Sequence, residues 1–185
     1  MRFMRKLALI TVLLACLATT AFAQSNQLSI FFSQSAGSVH THHGYGAAFI
    51  HSWTPRFSTA IAAAVEDPVV GICVGGILTQ ERCTDVKLRT YPVDLTGRFH
   101  FLNDTRWKPY LGLGARYVAA PHLTSEQRLV VGHSYSDRVS AEVVGGLEFL
   151  IKPSFGITAE VKGLLRNSED YDSGFNATAG LNWHF

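Results

Sequence analysis

The chain has 185 residues, 47% of them hydrophobic and 16% charged, with a formal net charge of +2, and its length fits one domain. So even a balance gives no sign of a nucleic-acid partner. Beyond residue 23 no run of about 18 apolar residues remains for a transmembrane helix, so any membrane crossing must be made by strands.

At the amino end, Arg2, Arg5 and Lys6 form a positive segment, Leu7 to Leu17 an apolar one, and Ala21-Phe22-Ala23 a small-x-small site. Residues 1–23 are therefore expected to be a signal peptide for the Sec pathway, cleaved after Ala23, with residues 24–185 forming the folded domain. This leader holds three of the 16 Lys and Arg residues and no acid, which leaves 13 bases against 14 acids. Cys16 leaves with it. Cys73 and Cys83 remain, and an even count in an exported chain predicts a disulfide between them.

The rest of the chain alternates with a period of two and predicts eight strands. The first is Gln27 to Gln34, where consecutive Ile30, Phe31 and Phe32 leave the register open. The second runs from about Gly44 to Trp53, and Pro55-Arg56 turns it into the third, Phe57 to Glu66. The fourth, about Lys87 to Phe101, contains Pro92, which removes a ladder donor and predicts a bulge or an early strand end. Asn103-Asp104 leads to the fifth, Trp107 to Ala120; the sixth is Asp137 to Ile151, and Lys152-Pro153 turns it into the seventh, Ser154 to Arg166. In the eighth, Phe175 to Phe185, the residues Phe175, Ala177, Ala179, Leu181, Trp183 and Phe185 share one face without a break. Short turns thus alternate with longer connections over Ser35 to His43, Asp67 to Val86, Pro121 to Ser136 and Asn167 to Ser173. That is the layout of an all-β, antiparallel, up-and-down transmembrane barrel with its short turns on the periplasmic side.

A soluble barrel would show the same period with its apolar face inward. The polar face decides between the two. It carries Gly112, Gly114, Gly146, Gly156, Ala60, Ala62 and Ala64, small enough for a narrow lumen, together with Asp94, Arg98, Arg116, Glu142, Glu148, Glu160 and Lys162. A water-facing exterior would be richer in Lys and poorer in Gly. Enclosed charges must pair, since breaking a buried pair costs about 3–5 kcal/mol, so these seven are expected to form a network that plugs the lumen.

The leader, the strands, the Lys108-Pro109-Tyr110-Leu111-Gly112-Leu113-Gly114 stretch and the terminal Phe185 resemble the small bacterial outer-membrane barrel superfamily of OmpA transmembrane-domain, OmpX and OmpW types. The resemblance spans the whole of residues 24–185 and rests on motifs generic to the class. It implies a monomeric outer-membrane protein in contact with lipid and lipopolysaccharide, with Trp183 and Phe185 in the insertion signal read by the barrel assembly machinery. OmpX-type relatives act through protruding loops, whereas OmpW-type proteins, whose Pro-Tyr-Leu-Gly-Leu-Gly strand is similar, are thought to pass small hydrophobic compounds. The expected function is surface interaction or envelope integrity, with an extracellular or host ligand at the loops; the alternative is an OmpW-like conduit, and the third reading is a lipid A-modifying acyl hydrolase or transferase.

Two loop clusters bear on chemistry. His40, His42 and His43 are spaced as donors for Zn(II), Cu(II) or Ni(II), but with no Cys or carboxylate close in sequence they read as a solvated polar loop. His133, Ser134 and Ser136, near Asp137, Glu142 and Glu169, supply the residue types of a Ser-His-acid triad. Their order departs from the His-x-Ser-Asn pattern of outer-membrane deacylases, so no catalytic residue, metal or cofactor is expected.

Overall fold

The computed structural model describes residues 26–36, 41–67, 69–74, 82–87, 89–102, 105–119, 138–165 and 174–185. Among them are ten strands and no helix: β1 (Asn26–Ala36), β2 (Thr41–Thr54), β3 (Phe57–Glu66), β4 (Val69–Val74), β5 (Arg82–Lys87), β6 (Pro92–His100), β7 (Trp107–Val118), β8 (Arg138–Lys152), β9 (Phe155–Leu165) and β10 (Phe175–His184). Eight of them close into an antiparallel barrel in the order β1-β10-β9-β8-β7-β6-β3-β2, and β4 and β5 form a separate two-stranded sheet. The seam is β1, which pairs with β10 on one side (Gln27↔His184) and β2 on the other (Gln27↔Ile50). Closure gives the barrel strands partners on both sides, the condition for a sheet in a medium without water.

Alternation along each strand sorts side chains inward and outward, and the sorting is the reverse of a soluble protein's. In β6 the buried Asp94, Thr96 and Arg98 alternate with exposed Val93, Leu95 and Phe99. Leu113 is 68% exposed and Glu142 is 1% exposed. An apolar outer surface and a polar interior suit a lipid surround. The open register of the first strand resolves with Ser29 and Ser33 buried and Ile30 and Phe32 exposed, which places Phe31 on the lumen side.

Four boundaries differ from the sequence expectation. The first connection shrinks to residues 37–40, because Thr41, His42 and His43 continue the β1–β2 ladder opposite Ala36, Ser35 and Gln34. The second long connection carries the β4–β5 hairpin, which takes Lys87 with it. The strand expected from Lys87 therefore starts at Pro92, a position that tolerates a missing N–H. Its ladder with β3 runs from Phe57↔Phe99 to Ala63↔Val93, stops at Pro92, and touches again at Glu66↔Thr90. The β8–β9 turn falls on Pro153-Ser154, one residue later than expected, with Lys152 opposite Phe155. Asn103 and Asp104 lie outside the described residues.

Candidate functional site

The lumen has a charged wall and an apolar wall, because each contributing strand presents only its inward parity. Strands β6 to β9 bring in Asp94, Arg98, Tyr110, Arg116, Glu142, Glu148, Glu160 and Lys162, all buried. Facing them, β2 and β3 contribute Ala48, Ile50, Ala60 and Ala62, with Phe31 of β1 packed against that cluster.

Carboxylates organise the charged wall in tiers. Nearest the short turns, Glu148 Oε1 accepts hydrogen bonds from Gln27 Nε2 at 3.1 Å and Asn182 Nδ2 at 2.8 Å, and lies 2.8 Å from His184 Nε2. Next, Glu160 Oε2 takes Arg98 Nη2 at 2.8 Å and the Tyr110 hydroxyl at 2.7 Å, while the Arg98 guanidinium sits 4.9 Å from the centre of the Tyr110 ring. Lys162 Nζ bridges to the following tier, 3.4 Å from Glu160 Oε1 and 2.6 Å from Asp94 Oδ2. Arg116 then spans Asp94 at 3.8 Å and Glu66 at 2.6 Å. Asn176 Nδ2 closes the column with bonds to Ser35 Oγ at 2.7 Å and Glu66 Oε1 at 3.4 Å. Glu142 stands apart, with neither carboxylate oxygen hydrogen-bonded to a described residue. Above the barrel, Arg89 binds Asp67 at 2.8 Å, and that bond holds its guanidinium above the ordinary value.

Of the seven charges expected on the lumen face, Asp94, Arg98, Arg116, Glu160 and Lys162 are linked to one another, Glu148 is held separately by Gln27, Asn182 and His184, and Lys162 lies closer to Asp94 than to Glu160. Tyr110 and Glu66 stand outside the seven charges that the sequence marks. Tyr110 shares its parity with Gly112, Gly114 and Arg116, and Glu66 shares its parity with Ser58, Ala60 and Ala62, so alternation held the signal for both. Between the two walls lies a cavity of about 30 Å³, bordered by Phe31, Ile50, Arg98, Glu160, Lys162 and Asn182 among others, room for roughly one or two waters.

Of the loop clusters, His42 and His43 lie in β2 and not in a loop, and the His43 ring stacks on Phe32 at 5.7 Å. Among the described residues no three His, Cys, Asp or Glu side chains gather as metal ligands. His40, His133, Ser134 and Ser136 lie outside the described residues. A different Ser-His pair occurs within the barrel: Ser58 Oγ is 2.9 Å from His100 Nε2. Ser58 has no exposed surface, so this hydroxyl braces the wall and offers no access to an acyl chain. Cys73 stands opposite Cys83 in the β4–β5 register. Trp183 and Phe185 point outward near the short turns, with Trp183 packed 5.5 Å from Phe155, and the Phe185 N–H donates to Asn26 O at 2.9 Å across the seam.

No protein-family model matches the sequence, and no curated protein matches it. Solved structures do match. The outer membrane protein OprG of Pseudomonas aeruginosa superposes with a TM-score of 0.57 at 14% identity, covering 88% of this chain and 97% of that one. The N-terminal β-barrel domain of Pseudomonas aeruginosa OprF gives 0.56 at 14% identity, covering 88% and 99%. Neisserial surface protein A gives 0.55 at 13% identity, covering 88% and 97%. At these identities the likeness is one of fold. The fold is that of the small eight-stranded outer-membrane barrels.

Proposed function

We propose that this chain is a small integral outer-membrane protein whose barrel is a closed scaffold, acting in surface interaction or envelope integrity through the connections at its long-loop end. The observation that carries this reading is the column of paired charges from Glu160 to Glu66, with Glu148 held by Asn182 nearer the short turns, which occupies the charged wall along the lumen. Paired charges in a narrow lumen cost about 3–5 kcal/mol to break one-sidedly, so the column favours a plug over a pore. The apolar exterior supports a lipid surround, and export through the Sec pathway with cleavage after Ala23 accounts for the leader. The protein acts as a monomer, inserted by the barrel assembly machinery, with lipid and lipopolysaccharide as its surroundings and an extracellular or host ligand at its loops. It has no catalytic activity. Folded protein in a planar bilayer should show no sustained stepwise conductance, and a stable open state would overturn the closed scaffold. Lipid A mass profiles from cells with and without the gene should coincide; an altered acyl pattern would establish the acyl hydrolase or transferase reading instead.

The interruption of the β3–β6 ladder at Pro92 favours a second reading, an OmpW-like conduit for small hydrophobic molecules. A broken ladder is the weakest place in a closed wall, and the Ala48, Ile50, Ala60 and Ala62 surface inside is apolar. Proteoliposomes would then take up a small hydrophobic dye faster than protein-free vesicles without conducting ions. Equal uptake would remove this reading.

A further inference from the structure

At the short-turn end, three connections each expose one cation: Arg56 between β2 and β3, Arg106 just before β7, and Lys152 at the end of β8. Backbone contacts anchor the main chain that carries these cations to successive walls of the barrel. His100 N–H donates to Arg56 O at 2.8 Å, Leu150 N–H donates to Arg106 O at 2.8 Å, and Lys152 pairs with Phe155. The cations therefore sit along one continuous arc over β3, β6, β7, β8 and β9. On the same arc the outer face is aromatic. Phe57, Phe99, Phe101 and Trp107 are exposed, Phe57 stands opposite Phe99, and Trp107 packs on Phe149 at 4.5 Å. Among the described residues no Asp or Glu side chain lies on the outside of this arc; Glu148 is buried in the lumen, and Asp104, two residues before Arg106 in sequence, lies outside the described residues.

We propose that the short-turn rim from β3 to β9 is a binding surface for anionic phospholipid headgroups, with Arg56, Arg106 and Lys152 on the phosphates and the aromatic belt at the boundary with the acyl chains. This rests on the membrane-spanning reading above. Cations carried on anchored main chain over an aromatic belt match a ligand that is charged at one end and apolar immediately below it, which a soluble anion is not. Each cation near an anionic headgroup layer favours association by about fivefold, an attraction that salt screens.

The test uses spin-labelled phosphatidylglycerol and phosphatidylcholine in vesicles holding the folded protein, comparing how much of each is motionally restricted by the barrel. Wild type should retain phosphatidylglycerol severalfold over phosphatidylcholine at low salt, and lose that preference near 1 M salt, where the Debye length is about 3 Å. The combined R56Q, R106Q and K152Q variant should show no preference while remaining heat-modifiable, and the charge-keeping R56K, R106K and K152R variant should retain it. Equal preference in wild type and the glutamine variant would overturn the proposal, as would loss of preference in the charge-keeping variant. A wild-type chain that never becomes heat-modifiable in either lipid would instead remove the membrane-spanning reading, and this proposal with it.

Discussion

Tyr110 reaches Glu160 over Gly146. In the register Tyr110 pairs with Gly146 on β8, and Gly146 pairs with Glu160 on β9, yet the phenol hydroxyl meets the Glu160 carboxylate at 2.7 Å. The missing side chain is what makes room, since a Cβ at Gly146 would overlap the Tyr110 ring. A glycine on the lumen wall thus lets a bond form across an intervening strand, and that bond helps to seat Glu160 where Arg98 finds it.

Gly146→Val should therefore displace Tyr110 and cost about 1–3 kcal/mol by overpacking. Gly163→Ala is the control. A Cβ there meets Phe175 at an ordinary 3.7 Å, and a surface change of that kind should fall within about 0.5 kcal/mol. Urea unfolding of the barrel in lipid vesicles measures both, and equal effects would mean that the phenol does not depend on the gap.

The lumen pairs should differ in coupling. Arg98 lies 2.8 Å from Glu160 and Lys162 lies 3.4 Å from it, with Lys162 closer still to Asp94. Glu160→Ala should cost about 3–5 kcal/mol by leaving Arg98 buried without its partner. Glu160→Gln with Arg98→Met should then show a larger interaction energy than Glu160→Gln with Lys162→Met in double-mutant cycles. Strict additivity of Glu160 and Arg98 would show that they do not act as a pair.

Which residues face the lumen was legible because a period of two assigns a whole strand once one of its residues is placed. From Arg98 alone follow Asp94, Thr96 and His100, and the same holds from Glu160 to Lys162. The partners were less legible. Lys162 follows Glu160 on its own strand, and alternation puts both inside, but only the stagger between β6 and β9 brings Lys162 to Asp94. Tyr110 is not legible from one strand because its hydroxyl matters only across Gly146, a relation between three strands. The β4–β5 hairpin is not legible because Val69-Val70-Gly71-Ile72-Cys73-Val74 has no polar alternation to mark a strand. Pro92 was legible for the opposite reason, since an absent donor acts the same way in any sheet.

The terminal aromatic should matter for assembly. Phe185 exchanges backbone hydrogen bonds with Asn26 at 2.9 and 3.2 Å and leaves its ring exposed beside the barrel seam. As part of the proposed insertion signal with Trp183, it should be far less tolerant of charge than Phe57, which is also exposed near the short turns. Phe185→Asp should lower the yield of heat-modifiable folded protein in cells well below that of Phe57→Asp. Equal yields for wild type and both variants would refute the signal.

Cys73 and Cys83 are proposed to be bonded to each other. They are the two cysteines beyond the expected leader, and the β4–β5 register sets their Cα atoms directly opposite. Directly opposed antiparallel positions lie about 4.5–5.5 Å apart, within the range a disulfide spans. So short a ring should contribute about 2–3 kcal/mol at most in the chain-entropy model. That energy falls on the hairpin, which is a sheet separate from the barrel, and leaves the barrel's own backbone ladder untouched. Reduction should therefore speed protease cleavage between β4 and β5 while the barrel stays folded and heat-modifiable. Maleimide labelling of both thiols in the unreduced, membrane-embedded protein would rule out the bond, and loss of the folded barrel on reduction would rule out a local effect.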